Sequence, residues 1–213
     1  MGPQAWDGPP APRGAAIGLF GGSFDPPHEG HLLATRAAMR AFELSRAWWL
    51  VSPGNPLKAR GPAPMAARMD AARALARHPG IAVTDVEARL GTRHTAETLR
   101  ALRARHPGVR FVWLMGADNL LQFHLWHDWR EIAAHHPIGV VARPGLRVAA
   151  RLSPAARALR RHRLPGAHSR LLARSDPPRW CLVNAPMSAA SSTAIRAAGR
   201  WGHEPLASAS SRP

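Results

Sequence analysis

Two histidines three residues apart, His28 and His31, stand where a glycine-rich turn meets the start of an apolar-patterned helix, in Gly18-Leu-Phe-Gly-Gly-Ser-Phe-Asp-Pro-Pro-His28-Glu-Gly-His31. Imidazole N–H groups and the unbonded backbone N–H groups of a helix start suit phosphate oxygens. Gly21 and Gly22 let the backbone approach a ligand closely, Ser23 adds a hydroxyl, and Gly30 keeps the approach between the imidazoles tight. Near the other end, Ser191-Ser192-Thr193-Ala-Ile-Arg196 places three hydroxyls at a second helix start with an arginine one turn in. The planar guanidinium fork pairs with phosphate oxygens. Both segments therefore read as phosphate-binding. Taken alone, Ser192 and Thr193 are equally explained as helix caps, and the two roles coexist. A lone His-x-x-His also fits two surface histidines. No third ligand at suitable spacing accompanies the pair, so no metal site is expected. The Gly-x-Gly-x-x-Gly fingerprint and the P-loop are both absent.

These residues need elements to aim them. Apolar runs predict strands at Ala16–Phe20, Ala47–Val51, Ile81–Val86, Val109–Met115, Ile138–Ala142 and Trp180–Val183. Helices are expected over Glu29–Phe42, Met65–His78, Thr95–His106 (with Thr95 as cap), Trp129–His135 and Ser192–Gly199. Ser52–Pro64 is rich in proline and glycine and reads as a loop. Leu146–Pro178 is basic and poorly patterned, with one helix expected from Pro154 to Arg163. Strands alternating with helices imply a doubly wound parallel α/β sheet, Rossmann-like, in a single domain. Ligands of such sheets bind at strand carboxyl ends. Phe20–His31, Ser52–Lys58 and Met115–Trp126 all follow predicted strands, so they should converge on one cleft.

The chain has 213 residues, 46% of them hydrophobic, enough for one sizeable core. No apolar run approaches the ~20 residues of a membrane helix. Residues 1–15 read as a disordered tail without a signal-peptide core, 16–200 as the domain and 201–213 as a loose tail, which gives the expectation of a cytoplasmic protein. Cys181 is the sole cysteine, so an internal disulfide and a cysteine zinc site are excluded, and its apolar neighbours predict a buried thiol. The formal net charge of +16 is carried almost entirely by arginine, Lys58 being the one lysine. A basic face attracts anionic nucleotides or nucleic acid, but the arginines are spread along the chain, as a solvated face also requires.

The Gly-Gly-Ser-Phe-Asp-Pro-Pro-His28-x-Gly-His31 run resembles the signature of the nucleotidylyltransferase superfamily, and Ser191-Ser192-Thr193-Ala-Ile-Arg196 resembles its second signature, with Ala190 where isoleucine is usual. Within it the chain most resembles bacterial nicotinate-nucleotide adenylyltransferases, from about Ile17 to Gly199. The resemblance implies that ATP, with magnesium, and nicotinate mononucleotide give deamido-NAD and pyrophosphate. It assigns catalysis to His28 and His31. It assigns ATP binding to Gly21, Gly22, Ser23, Gly30, Gly116, Asp118, Ser192, Thr193 and Arg196. Lys58, Thr95 and Trp126 would bind the mononucleotide, with Trp126 stacking on its ring. His94 departs from the family's tyrosine. Structural roles remain open for several of these: a helix cap for Asp118, a core residue for Trp126, a solvated loop residue for Lys58.

Three alternatives stay in view. Nicotinamide mononucleotide or phosphopantetheine could be the acceptor, and a basic nucleic-acid-binding module could reuse the fold without turnover. The intact His28, His31 and Arg196 argue against the last, so no specific nucleic-acid partner is expected. The sequence leaves a homo-oligomer open.

Overall fold

The computed structural model describes residues 8–54, 61–142, 145–184 and 191–201. Along the chain run β1 (Ala16–Gly22), α1 (Glu29–Ala41), β2 (Arg46–Val51), α2 (Met65–Leu75), β3 (Ile81–Thr84), α3 (Val86–Leu90) and α4 (Thr95–Arg105). Then follow β4 (Arg110–Gly116), α5 (Ala117–Gln122), α6 (Trp129–His135), β5 (Ile138–Ala142), α7 (Arg147–Arg151), α8 (Pro154–Ala158), β6 (Arg163–Leu164), β7 (Trp180–Asn184) and α9 (Ser192–Ala197). The strands form one sheet in the order β3-β2-β1-β4-β5-β7-β6, every pairing parallel. This is the expected doubly wound architecture.

Parallel strands covered on both faces are apolar throughout rather than alternating. In β2, Trp48, Trp49, Leu50 and Val51 are all fully buried. Successive side chains point to opposite faces. Accordingly Trp48 packs with Leu99 and Phe111 in one core, and Trp49 packs with Phe24, Met69 and Ala72 in another. Sheet glycines give close packing: a Cβ on Gly139 would sit 2.5 Å from the Phe42 ring.

Several elements differ from the sequence reading. Val86 opens α3 instead of ending β3; left-handed Gly91 (φ 65°) stops this helix after Leu90. His94, not Thr95, is the N-cap of α4, because Glu97 reaches back to the backbone N–H groups of Arg93 (3.0 Å) and His94 (3.3 Å). The helix expected from Pro154 to Arg163 is only the five-residue α8, capped by Ser153 Oγ accepting from Ala156 N–H (3.3 Å). Helical turns over Arg160–His162 and Gly166–Arg174 flank β6. Ala150, Ala155, Ala156, Leu172 and Ala173 are buried, so small residues anchor this segment where no long apolar stripe exists.

The expected tails are held where they are described. Gly14 N–H donates to Gly108 O (2.8 Å), and Ala11 and Ala15 pack against the core. Trp201 Nε1–H donates to Asp25 Oδ1 (2.7 Å). Cys181 is buried in β7, where desolvation pushes its thiol up to about 11. Among the described residues no helix is long and apolar enough to cross a membrane.

Candidate active site

Strand order runs outward in both directions from the β1–β4 pair, and ligands of doubly wound sheets bind at the carboxyl ends of strands where the order reverses. A cleft of about 630 Å³ opens there. Its walls include the end of β1 (Gly21 to Phe24), the start of α1, Ser52 and Gly54 after β2, the start of α4, Gly116 and Asp118 after β4, and Ser191 to Thr193 at the start of α9.

His28 is the N-cap of α1 and is buried; His31 is the third residue of that helix and half-buried. Their ring centroids lie 3.9 Å apart. His28 backbone N–H donates to His31 Nδ1 (3.1 Å). Because Nδ1 accepts, the proton of a neutral His31 sits on Nε2, which makes that nitrogen the ring's donor. Phe24 lies beside His31 (centroids 5.0 Å) and stacks on Trp49 (4.9 Å). Trp49 Nε1–H donates to Thr35 Oγ1, and Thr35 Oγ1–H donates to His31 O, both at 2.8 Å. The helix start is thereby tied to β2. Glycine is required at position 21 for packing as well as approach: a Cβ there would lie 2.5 Å from the Trp113 ring. A Cβ on Gly116 would collide with the Asp118 carboxylate.

The second phosphate-type segment docks on the first. Ser191 caps α9, its Oγ accepting from Ala194 N–H (3.1 Å). Ser192 Oγ–H donates to Pro26 O (2.9 Å). Arg196 donates to the Asp25 carbonyl, lies 3.8 Å from Asp25 Oδ2 and touches Thr193 Oγ1 (3.4 Å). Thus Ser192 and Thr193 face the cleft, whereas Arg196 is turned to the Asp25–Pro26 turn and does not form part of the cleft wall. The carbonyl and the nearby buried carboxylate of Asp25 hold the guanidinium here.

Arg68 has no place in the sequence reading, yet it holds two walls of the cleft together. It is 1% exposed and donates to Ala63 O (2.7 Å), Ser23 O (2.7 Å) and Ser52 O (2.8 Å). Asp25 is buried close by, with its Oδ1 accepting from Ala63 N–H at 3.3 Å. An arginine in an alanine- and arginine-rich helix reads as surface, so only its tertiary position reveals this role.

The same cleft is lined by Thr95, Trp126, His94, His127 and Glu87. Trp126 is half-buried and makes edge contacts with Phe123 (5.5 Å) and Trp113 (6.2 Å). His94 and His127 stack at 4.4 Å. Burial pushes the Glu87 carboxyl up to about 7. The stack and Glu87 carry no motif signal. Lys58 lies outside the described residues. Among the described residues no three His, Cys, Asp or Glu side chains cluster as a metal site. The cleft therefore offers donors for oxyanions together with aromatic and polar side chains.

The chain is similar to known proteins in sequence and in fold. The sequence model of the cytidylyltransferase-like family matches residues 19–198. A relative from Ruegeria pomeroyi, named a probable nicotinate-nucleotide adenylyltransferase, is 62% identical over 193 residues, covering 91% of this chain and 91% of its own. One of the same name from Roseobacter denitrificans is 60% identical over 193 residues, covering 91% and 97%. The fold is also that of the Plasmodium falciparum nicotinic acid mononucleotide adenylyltransferase complexed with NaAD, with TM-score 0.62, 16% identity, and 85% and 82% of the two chains covered.

Proposed function

The chain belongs to the cytidylyltransferase-like family and, within it, to the nicotinate-nucleotide adenylyltransferases, and from this premise we propose how its cleft divides the work of adenylyl transfer. The enzyme transfers the adenylyl group of ATP to nicotinate mononucleotide in NAD synthesis. A phosphate oxygen of the mononucleotide attacks the α-phosphorus, the bond to the β-phosphate oxygen breaks, pyrophosphate leaves, and deamido-NAD forms.

The attacking phosphate is already ionised at neutral pH, so the reaction needs no general base. It needs in-line placement and stabilisation of charge around the α-phosphate. His31 supplies a donor there through Nε2–H, and His28 stands beside it on the same helix start. Gly21, Gly22, Ser23 and Gly30 allow the triphosphate to lie against the backbone. Thr193 donates through its hydroxyl and Ser192 through its backbone N–H at the α9 start, the Ser192 hydroxyl proton going to Pro26 O; Arg196 positions that start through Asp25 and keeps its assignment to ATP by family resemblance alone. Gly116 and Asp118 border the adenosine side. Thr95 and Trp126 receive the mononucleotide, and Lys58 is assigned to its phosphate by family resemblance alone. Magnesium enters as the companion of ATP; such ions are commonly held by substrate phosphates with few protein ligands. We place the reaction in the cytoplasm.

The observation that carries this reading is the docking of the α9 start on the His28–His31 turn, through Ser192 to Pro26 O and Arg196 to Asp25 O, at the sheet's switch point. Pyrophosphate release from ATP and magnesium tests it, with nicotinate mononucleotide, nicotinamide mononucleotide and phosphopantetheine supplied separately. Turnover with the first and little with the others is expected. Efficient turnover with phosphopantetheine alone would overturn the acceptor assignment.

A further inference from the structure

The start of α9 brings Ser192 and Thr193 to the cleft, yet none of the six residues of this helix is buried. A helix this short is not stable by itself, and α9 has no core residue to hold it. Polar contacts with the Asp25–Pro26 turn tie it down. Ser192 Oγ–H donates to Pro26 O (2.9 Å), and the Arg196 guanidinium donates to Asp25 O. A third contact comes from beyond the helix. Gly199, left-handed at φ 66°, ends α9: its N–H donates to Arg196 O (3.0 Å), and Arg200 N–H donates to Ile195 O (3.2 Å). This pair of bonds turns the chain back and delivers Trp201, whose Nε1–H donates to Asp25 Oδ1 at 2.7 Å.

The acceptor is not an ordinary surface carboxylate. Asp25 is buried; its Oδ1 also accepts from Ala63 N–H (3.3 Å), and its Oδ2 lies 3.8 Å from Arg196. Arg68, which feels the Asp25 charge, donates to Ala63 O and to the Ser23 and Ser52 carbonyls of the cleft walls. Trp201 therefore joins the far end of α9 to the network that holds the turns after β1 and β2. Hydrogen bonds with an ionised partner are roughly twice as strong as neutral ones.

We propose that Trp201 is a positioning residue for the triphosphate: its indole N–H, bound to the Asp25 carboxylate, latches α9 so that the Thr193 hydroxyl and the Ser192 backbone N–H meet the phosphates of ATP. The inference rests on the ATP reading of the α9 start given above. Trp201 lies beyond both signature segments and touches no substrate in this account. Without the latch, α9 is docked for a smaller fraction of the time, and the apparent affinity for ATP falls by that fraction. Losing one hydrogen bond to a charged partner should lower the fraction about tenfold. Thr95 and Trp126, assigned to the mononucleotide, lie on other segments, so the acceptor should be affected little.

The test uses the full chain and three variants. Trp201→Phe keeps an aromatic ring without the N–H, Trp201→Gln keeps an N–H donor without the ring, and Thr193→Ala removes the hydroxyl that α9 offers. KM and kcat are measured for ATP and for nicotinate mononucleotide, with magnesium, on protein whose denaturation midpoint is known. Trp201 is half-buried and follows the last described helix, so its variants should unfold at the parent's midpoint. Trp201→Phe should raise KM for ATP about tenfold and leave KM for the mononucleotide within about twofold. Trp201→Gln should hold KM for ATP within about threefold of the parent, because the donor is restored. Thr193→Ala should raise KM for ATP by itself. If it does, and Trp201→Phe stays within about twofold of the parent, the latch is overturned and the ATP reading of α9 stands. An equal rise in both KM values, or a Trp201→Gln variant as impaired as Trp201→Phe, also overturns the latch. A parent-like KM for ATP in Thr193→Ala overturns the ATP reading and the latch with it.

Discussion

Replacing Arg68 with alanine should loosen the cleft from behind without touching a substrate. The guanidinium is buried and donates to three carbonyls, those of Ala63, Ser23 and Ser52, at 2.7 to 2.8 Å. A hydrogen bond to a charged group contributes about 1.5–3 kcal/mol, and three would sum to about 4.5–9 kcal/mol if independent. They are not independent, and water entering the vacated space re-satisfies part of the loss. Breaking a buried charged group's network typically costs about 3–5 kcal/mol, and that is the expected destabilisation. For a chain of this size it corresponds to a fall in Tm of roughly 10 °C. Arg68→Lys keeps the charge but cannot span three acceptors, so it should recover part of the stability. Urea denaturation gives the free energies, and KM for ATP should rise as the turns carrying Ser23 and Ser52 part. A loss under about 1 kcal/mol for Arg68→Ala, with KM unchanged, would refute the role assigned to Arg68.

Further expectations follow from other contacts. Gly21→Ala forces a methyl against the Trp113 ring and should cost about 1–3 kcal/mol by overpacking, read by denaturation, with activity falling as β1 shifts. Trp126→Ala should raise KM for the mononucleotide far more than KM for ATP; equal effects on the two would remove the ring-stacking assignment. Burial, reinforced by Arg103, pulls His136 down to about 4. The stability this group contributes is therefore full above about pH 6.5 and is lost as the pH falls through about 4, a loss of about 3 kcal/mol that His136→Asn should remove from the pH profile of unfolding.

The strands were legible because a parallel sheet covered on both faces needs unbroken apolar runs, as in Trp48 to Val51 and Phe111 to Met115. The glycine turn and the two helix starts were legible because oxyanion recognition uses a short vocabulary of residue types at fixed spacing. What lay beyond the sequence depends on distant partners. Arg196 pairs with Asp25 and Trp201 donates to it, across separations of 171 and 176 residues. No periodicity announces such contacts. The small helices α3, α7 and α8 are too short for a 3.6-residue pattern to accumulate, and caps and buried alanines set their limits. His94 takes the cap of α4 because Glu97 lies three residues on, a signal visible in the sequence once histidine is allowed as the capping residue.

The most direct measurement is kcat of His31→Ala, taken on protein whose circular dichroism and denaturation midpoint match the parent. The account requires charge stabilisation at the α-phosphate by His31 Nε2–H, so kcat with ATP and nicotinate mononucleotide should fall about 100- to 1000-fold. A folded variant within about threefold of the parent would contradict it and remove His31 from the chemistry.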